Sequence, residues 1–348
     1  MTNTPNGQKS YRSVIRSVGH YVPENVVRNA DLEKVMETSD AWIQERTGIK
    51  ERRFEVEGVP TSSLAQKASE MALQRAGLEA KDIDMVIAAT LSPDYYFPGI
   101  GVLLQRNMKM SHVPALDIRA QCSGLVYGLT TADAFIRSGQ AKRILLACAE
   151  VQHPVLDMTT AGRDMAVLFG DGAGSVIIEA VEDSERPTVA NKKRGIIDSI
   201  IHSDGNGAEV LAMKYPGTST AKFITQADLD QKTYQPRMDG KVVFKNAVTR
   251  MLQVAGTLCE RNGVKPSDLS LVFPHQANLR INEMVRENLG LPPERVFNNI
   301  HKYGNTTAAT IPIAMSEAVA ENRVKEGDLV LTLAFGAGFT WGANLIRW

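Results

Sequence analysis

An internal repeat constrains the fold of this chain more than any other sequence feature. Residues 75–87, RAGLEAKDIDMVI, align with residues 261–273, RNGVKPSDLSLVF, and both patterns predict a helix end, a glycine stop, a turn and a strand. At almost the same offset, RILLAC at 143–148 aligns with DLVLTL at 328–333. The alternative is that any two α/β segments resemble each other to this extent. The repeated order of elements favours two similar halves.

Strand-like and helical patterns alternate along the chain. Apolar runs such as 85–89 and 144–147 predict buried strands, because they are short, continuous and rich in branched residues. Residues 243–258 instead carry apolar side chains at three- and four-residue spacing, which predicts an amphipathic helix. This alternation predicts an α/β fold.

A polar connection separates the two predicted halves. The stretch EDSERPTVANKKRG, at residues 182–195, is charged and contains Pro187, which is typical of a linker and not of a core element. We therefore expect a flexible tail at residues 1–11, an N-terminal half at 12–182 and a C-terminal half at 183–348.

Composition and charge argue against several classes of protein. The 39 Lys and Arg residues balance 39 Asp and Glu residues, so we expect no overall attraction to nucleic acid or to a membrane. No apolar run reaches the roughly 18 to 20 residues that a spanning helix needs, and the polar N-terminus does not resemble a signal peptide. The three cysteines form no C-x-x-C pair, so neither a zinc site nor a disulfide framework is predicted. We expect a cytoplasmic protein.

Cys122 is the candidate nucleophile. It follows the apolar run at 113–118 and precedes apolar residues at helical spacing, so the sequence places it at a strand-to-helix turn. The amides and the positive dipole end of that helix should favour the thiolate. The alternative is a buried, small apolar residue, which is our interpretation of Cys148 and Cys259.

His275 and Asn305 are candidate partners of this nucleophile. His275 follows a predicted strand, at the carboxyl end where α/β sheets bind their ligands. The repeat places the counterpart of the Cys122 turn near Thr307, two residues from Asn305. A lone histidine is more often structural than catalytic, and His301 is a rival because it is close to Asn305 in sequence.

Two glycine clusters, FGDGAG at 169–174 and FGAGFTWG at 335–342, do not fit a dinucleotide-binding fingerprint, because each leads into a predicted strand and not into a helix. The second cluster directly follows the predicted strand at 328–333. Its amides are therefore candidates for an oxyanion hole, with a tightly packed turn as the alternative.

The segment 206–240 is polar and long for a connection. Long connections are often functional lids or disordered segments. We expect it either to contribute to a substrate entrance or to be a surface decoration.

Six motifs in this chain occur in the order found in β-ketoacyl-ACP synthase III: TSDAWIQERTGIKER, DIRAQCSGL, GDGAG, PHQANLRI, YGNTTAA and FGAGFTWG. The sequence resembles that family over nearly the whole chain after residue 11. The resemblance implies a homodimer with a thiolase fold, in which duplicated βαβαβαββ halves form a five-layered αβαβα arrangement. It identifies Cys122, His275 and Asn305 as a Cys-His-Asn triad.

The resemblance also implies a two-stage reaction without a metal or a bound cofactor. Cys122 would take an acyl group from an acyl-CoA while the amides of Cys122 and Ala337 stabilise the oxyanion. Malonyl-ACP would then lose carbon dioxide as His275 and Asn305 donate to its thioester oxygen. The resulting carbanion would attack the acyl-cysteine and form a β-ketoacyl-ACP.

Substrate contacts follow from the same resemblance. Trp42 and Arg163 would hold the CoA adenine between them, and Arg46 would lie near the CoA phosphates. Phe97 would reach across the dimer to the acyl pocket, which Phe335 would also line. Without the family, Trp42 would be interpreted as a core residue and Arg163 as a solvated charge.

A basic patch for the acidic acyl carrier protein is implied at Arg280, Lys245 and Lys241. Such a patch reconciles zero net charge with an acidic partner. A solvated face is the alternative for the two lysines.

The sequence departs from the family pattern in two places. Arg119-Ala120-Gln121 replaces an alanine-rich approach to the cysteine and resembles relatives that make quinolone precursors from anthraniloyl-CoA. The insertion at 206–240 is longer than in acetyl-CoA enzymes. A secondary-metabolite synthase with an aromatic or longer primer is therefore the alternative, although PHQANLRI and FGAGFTWG match the enzymes of fatty-acid initiation better.

Other functions of the same fold remain as further alternatives. A thioester hydrolase or a non-catalytic thiolase-fold partner would share most of these motifs. A non-decarboxylating thiolase needs a second cysteine near the final glycine loop, where this chain has FGAG. Chain-elongating synthases pair two histidines, and the second position here is Asn305.

Overall fold

The computed structural model describes residues 10–183, 185–219 and 222–348 of the chain. The strands are β1 Tyr11–Tyr21, β2 Val26–Arg28, β3 Glu51–Arg53, β4 Met85–Ala89, β5 Ala115–Ile118, β6 Arg143–Glu150, β7 Gly172–Glu182, β8 Gly195–Ser203, β9 Leu211–Ala212, β10 Arg237–Met238, β11 Leu271–Pro274, β12 Leu329–Gly336 and β13 Thr340–Arg347. The α-helices are α1 Asn29–Leu32, α2 Asp40–Thr47, α3 Thr61–Ala76, α4 Ile100–Asn107, α5 Gly124–Arg137, α6 Arg163–Ala166, α7 Gln226–Asp230, α8 Gly240–Arg261, α9 Leu279–Asn288, α10 Ile300–Tyr303 and α11 Thr310–Ala320.

Two mixed sheets repeat the same topology. The first has the order β1-β7-β6-β4-β5, and the second has the order β11-β12-β13-β8. In each sheet a parallel pair, β4 with β6 or β11 with β12, continues into antiparallel strands. The counterpart of β5 in the second sheet is reduced to one bridge between Val272 and Val296. The duplicated arrangement expected from the repeat is confirmed.

Helices form three layers around these sheets. Helices α5 and α11 lie in the central apolar cluster, which contains Leu129 and Met315 together with residues from both sheets. Helix α11 is buried on nearly every side, as its almost uniformly apolar sequence TIPIAMSEAVA requires. Helix α3 packs on the outer side of the first sheet, and α8 and α9 pack on the outer side of the second. The five-layered αβαβα arrangement is thereby confirmed.

The strands of the two sheets fall on either side of the predicted junction. Strands β1 to β7 end at Glu182, and β8 begins at Gly195. The division into residues 12–182 and 183–348 stays a prediction, which these positions support. The predicted tail falls mainly on residues 1–9, outside the described residues, and its last residue, Tyr11, already pairs with Glu182.

Helix α8 follows the predicted amphipathic pattern. Ala247, Met251 and Leu258 are buried on one face, while Lys241 and Lys245 are exposed. Within the described ranges, no helix has the length and apolar character needed to cross a membrane.

Candidate active site

Cys122 lies in a tight turn between strand β5 and helix α5. The preceding residue, Gln121, has a φ of 45°, in the left-handed region that non-glycine residues rarely adopt. Thr307, 186 positions later, has the same φ of 45° and precedes helix α11. The repeat therefore extends to the backbone of these two turns. Asn305 lies two residues before Thr307, at the start of the second turn.

One cavity of about 1110 Å³ brings the three predicted triad residues together. Cys122, His275 and Asn305 are all buried and all line it. Phe335, also predicted to lie at the acyl pocket, lines the same cavity and packs against Phe339 at 4.9 Å between ring centroids. The structure thus brings these residues together, and their catalytic and acyl-pocket roles stay predictions.

Hydrogen bonds define the tautomer of His275. Its Nδ1 lies 2.7 Å from Oγ1 of Thr310, and that hydroxyl lies 3.0 Å from the carbonyl oxygen of Thr307. The hydroxyl has one hydrogen, and a carbonyl can only accept, so both contacts are hydrogen bonds only when Nδ1 carries the proton. Burial lowers the pKa of His275 to about 3, which keeps the ring neutral. Nε2 is then an acceptor.

The Asn305 side chain is also oriented by its neighbours. Its Oδ1 accepts a hydrogen bond from the Thr307 amide at 2.8 Å, and its own backbone amide donates to Leu168 at 2.8 Å. The Gly170 amide donates to the Asn305 carbonyl at 3.1 Å. Because Oδ1 is occupied, the Nδ2 hydrogens are the donors that this side chain can offer to a ligand.

Two backbone amides converge on the Cys122 sulfur. The N–H groups of Cys122 and Ala337 both lie beside it and lower its pKa. Strand β12 can approach this closely because residue 336 is glycine: an added Cβ would lie 2.9 Å from the Cβ of Cys122. The geometry offers two donors, one from each predicted half, beside the candidate nucleophile.

The thiol is not held as a thiolate. Burial raises the pKa of Cys122 to about 12, the Glu150 carboxylate adds to the rise, and the two amides lower it only in part. The expectation that the helix terminus would favour the thiolate is therefore wrong for the unliganded site. Nucleophilic attack by this sulfur requires a base, and the neutral His275 ring is in the same cavity.

Alkylation of Cys122 by iodoacetamide is expected to rise about tenfold per pH unit between pH 6 and pH 9, without a plateau. Only the thiolate reacts, and below a pKa of about 12 its fraction increases in proportion to hydroxide. Timed quenching and peptide mapping by mass spectrometry measure the rate at this residue. Glutathione is the control, since an ordinary thiol with a pKa near about 8.5 approaches its plateau in this range. A plateau for Cys122 below pH 8 would contradict the raised pKa.

The entrance of the cavity carries the residues predicted to bind CoA. Trp42 and Arg46 of helix α2 line it, with the Arg46 guanidinium 4.6 Å from the Trp42 ring centroid. Arg163 lies 5.0 Å from the same centroid and donates to the carbonyl of Glu37 at 2.7 Å. The structure thus brings the three together, but Arg163 lies directly over the ring. A base can enter between them only after this guanidinium moves.

The residues predicted to bind acyl carrier protein divide into two groups. Lys241 and Arg280 line the entrance, and Arg280 lies 5.8 Å from the ring of Phe244. Lys245 is exposed on α8 and does not line the cavity. The patch therefore extends from the entrance to the surface of α8.

Comparison with known proteins assigns the chain to a family. The model for 3-oxoacyl-[acyl-carrier-protein (ACP)] synthase III matches residues 116–205, and the model for its C-terminal part matches residues 259–348. A β-ketoacyl-[acyl-carrier-protein] synthase III of Rhodobacter capsulatus is 43% identical over 97% of this chain and 99% of its own length. The chain belongs to the 3-oxoacyl-[acyl-carrier-protein] synthase III family.

Solved synthase III structures share the whole fold. The enzyme from Aquifex aeolicus VF5 is 42% identical with a TM-score of 0.85, and 97% of this chain and 100% of that chain are covered. The enzyme from Thermus thermophilus is 40% identical with a TM-score of 0.85, and the match covers 96% and 99% of the two chains. The resemblance inferred from the six motifs is confirmed.

In this synthase III chain, the segment 206–240 has two different locations. Residues 209–211 and 237–240, near its two ends, line the cavity. The short strands β9 and β10 pair with each other at these positions. Helix α7, between them, does not line the cavity. The ends of the segment therefore fit a contribution to a substrate entrance and its middle fits a surface decoration, and both roles stay predictions.

Phe97 does not line the cavity of its own chain. Its side chain is 80% exposed, beside the exposed Tyr95 and Tyr96. This is the position required of a residue that contacts another chain, and that role stays a prediction.

Several functional candidates were missed in the sequence. Thr310 orients His275, Glu150 raises the pKa of Cys122, and Arg237 lines the entrance. Single threonines, glutamates and arginines carry no pattern of their own. Of the three, only Thr310 could have been indicated by the sequence, because it lies close to the turn at Thr307 that the repeat pairs with Cys122.

Proposed function

We propose that this chain condenses an acyl-CoA primer with malonyl-ACP and so initiates fatty-acid synthesis. The observation that carries the proposal is the convergence of the Cys122 and Ala337 amides on one thiol, in a cavity that His275 and Asn305 also line. A thiol with two oxyanion donors suits acyl transfer, and two further polar groups suit a second substrate.

In the first stage, Cys122 attacks the acyl-CoA thioester. Because its pKa is raised, the sulfur must lose its proton as it attacks, and Nε2 of His275 is the acceptor in the resting tautomer. The amides of Cys122 and Ala337 bind the oxyanion of the tetrahedral intermediate. The intermediate collapses to acyl-cysteine and CoA thiolate, which takes the proton from His275, because a ring with a pKa of about 3 is far more acidic than a thiol.

In the second stage, the malonyl thioester loses carbon dioxide. Its carbonyl oxygen becomes enolate-like and accepts hydrogen bonds from Nδ2 of Asn305 and from Nε2 of His275 in its other neutral tautomer, in which the Thr310 hydroxyl donates to Nδ1. The carbanion attacks the acyl-cysteine and releases the Cys122 thiolate. The thiolate takes a proton from solvent and the His275 ring returns to its resting tautomer, so the site regains its starting state.

The entrance residues bind the two carriers in this proposal. Trp42 and Arg163 hold the CoA adenine once Arg163 has moved, and Arg46 binds phosphate. Arg280, Lys241 and Lys245 dock the acidic carrier protein. The reaction as written uses no metal, and in the described part of the chain no group of three or more His, Cys, Asp or Glu side chains could hold one.

A homodimer is part of the proposal. Strand β5 is an edge strand, and its residue Leu116 is 37% exposed. The exposed aromatic residues Tyr95, Tyr96 and Phe97 lie on the loop after β4, the neighbour of β5. An open edge beside exposed aromatic groups is a suitable surface for a second copy, with Phe97 extending to its partner. A monomer in sedimentation equilibrium would contradict this. Three free cysteines and these substrates support a cytoplasmic location for the reaction.

Intact-protein mass spectrometry with a panel of acyl-CoAs tests the proposal. We expect the mass of one acyl group on the wild-type chain without malonyl-ACP, and β-ketoacyl-ACP after malonyl-ACP is added. Preferential loading of an aromatic primer would instead favour the secondary-metabolite synthase, as the unusual RAQ sequence before Cys122 suggests. Release of free acid without condensation would indicate a thioester hydrolase, and no loading at all would contradict an enzymatic role.

A further inference from the structure

The two oxyanion donors belong to segments that are far apart in sequence. Cys122 lies in the turn before α5, and Ala337 lies in the loop between β12 and β13. The distance between their amides therefore depends on contacts between the turn at 120–123 and the loop at 336–340. Side-chain hydroxyls of Thr340 and Ser123 provide such contacts.

The Thr340 hydroxyl joins the two segments. Its Oγ1 lies 3.1 Å from the carbonyl oxygen of Ala120 and 3.1 Å from that of Ala337. The Ala120 carbonyl also accepts the Ser123 amide at 2.9 Å, which closes the turn that contains Cys122. One hydroxyl hydrogen is thus shared between the peptide that begins this turn and the residue that supplies the second oxyanion donor.

A second hydrogen bond connects the same segments in the opposite direction. The buried Ser123 hydroxyl donates to the backbone carbonyl of Thr340 at 3.0 Å. Gly336 packs against Cys122 between these two bonds, since an added Cβ would lie 3.0 Å from the Cys122 nitrogen. Thr340 therefore both donates to the turn and accepts from it.

This arrangement fixes a distance on which acyl transfer depends. An oxyanion donor acts at about 2.7 to 3.1 Å from the developing charge, and a displacement of about 1 Å can cost 10²-fold in rate. Valine at position 340 would keep the shape of threonine but would present a methyl group to two carbonyl oxygens. Loss of both contacts would allow the loop to move away from the turn.

We propose that Thr340 is a positioning residue for the oxyanion hole: its hydroxyl sets the distance between the Cys122 and Ala337 amides. The inference rests on the acyl transfer proposed above. Thr340 itself does not touch the acyl group, and it acts through the carbonyl oxygens of Ala120 and Ala337.

The test compares Thr340→Val with Thr340→Ser and with a control, Thr131→Val, which removes a hydroxyl that donates only to Tyr127 within α5. Acylation is measured by rapid quench and mass spectrometry, and Cys122 alkylation by iodoacetamide is measured in parallel. Alkylation forms no oxyanion, so a merely structural effect would change both rates. We expect acylation of Thr340→Val to fall at least about tenfold, and alkylation to fall clearly less, because alkylation loses only the effect of the Ala337 amide on the pKa of the thiol. Thr340→Ser should recover acylation, and Thr131→Val should not change it.

Wild-type acylation by Thr340→Val would overturn the inference, as would a parallel fall in alkylation. If Thr340→Val does not fold, Ser123→Ala removes the second bond and should also lower acylation selectively; unchanged acylation there would equally overturn it. An unacylated wild-type chain would instead contradict the proposed function, so the two failures are distinguishable.

Discussion

Replacement of Cys122 by alanine is expected to abolish acyl loading and to reduce condensation by about 10⁴-fold or more. In the proposed reaction the sulfur carries the acyl group between the two stages, and none of the other described residues that line the cavity offers a comparable nucleophile. Intact-protein mass spectrometry should show no acyl mass, and product assays with malonyl-ACP should remain at background.

The other two cysteines provide matched controls. Cys148 lies in β6 and Cys259 in α8, and neither lines the cavity. Burial raises the pKa of both thiols. Cys148→Ala and Cys259→Ala should load one acyl group as the wild-type chain does. Persistent loading of Cys122→Ala, or loss of loading in either control, would refute the assignment of the nucleophile.

Replacement of Asn305 by alanine is expected to separate the two stages. Malonyl decarboxylation should fall by about 10² to 10³, because one of the two donors to the enolate-like oxygen is lost. Acyl loading should stay within about threefold of wild type, since its donors are the Cys122 and Ala337 amides. Release of labelled carbon dioxide from malonyl-ACP measures the second stage, and mass spectrometry measures the first.

Asn288→Ala is a suitable control, because that side chain donates only to the Met284 carbonyl within helix α9. Thermal unfolding should be recorded for both variants, since Asn305→Ala also leaves the Thr307 amide without its acceptor. Equal loss of both stages at unchanged stability would show that Asn305 acts in acylation as well. Wild-type decarboxylation would exclude its proposed role.

Features that depend on local or repeated patterns could be predicted from the sequence. The repeat predicted two sheets of the same topology and placed Cys122 and Asn305 in related turns, because a duplicated chain preserves its order of elements. The shared φ of Gln121 and Thr307 was not predicted, because no single-residue pattern indicates a strained backbone.

Electrostatics could not be predicted in the same way. A helix terminus suggested a thiolate, but the pKa of Cys122 depends mainly on burial and on Glu150, which comes from the end of β6. The tautomer of His275 depends on Thr310, the first residue of helix α11. Such effects arise from tertiary contacts between residues that have no fixed spacing.

The entrance shows a third kind of limit. Motifs identified Trp42, Arg46 and Arg163 as candidate CoA contacts, but only the structure could show that the Arg163 guanidinium lies over the Trp42 ring. Composition marked 206–240 as a single polar segment, whereas its ends line the cavity and its middle does not. Side-chain orientation and loop path are decided by packing, which a linear pattern does not encode.

The single bridge that replaces a fifth strand in the second sheet gives the two sheets different edges. Strand β5 offers a free edge, whereas the corresponding side of β11 is covered where Val296 pairs with Val272, next to Pro292 and Pro293. Proline has no amide hydrogen and therefore prevents further strand pairing there. In the described residues, the first sheet therefore ends in the strand β5, whereas the second sheet has only a single bridge on the equivalent side, so the two sheets are unequal as surfaces for a second copy.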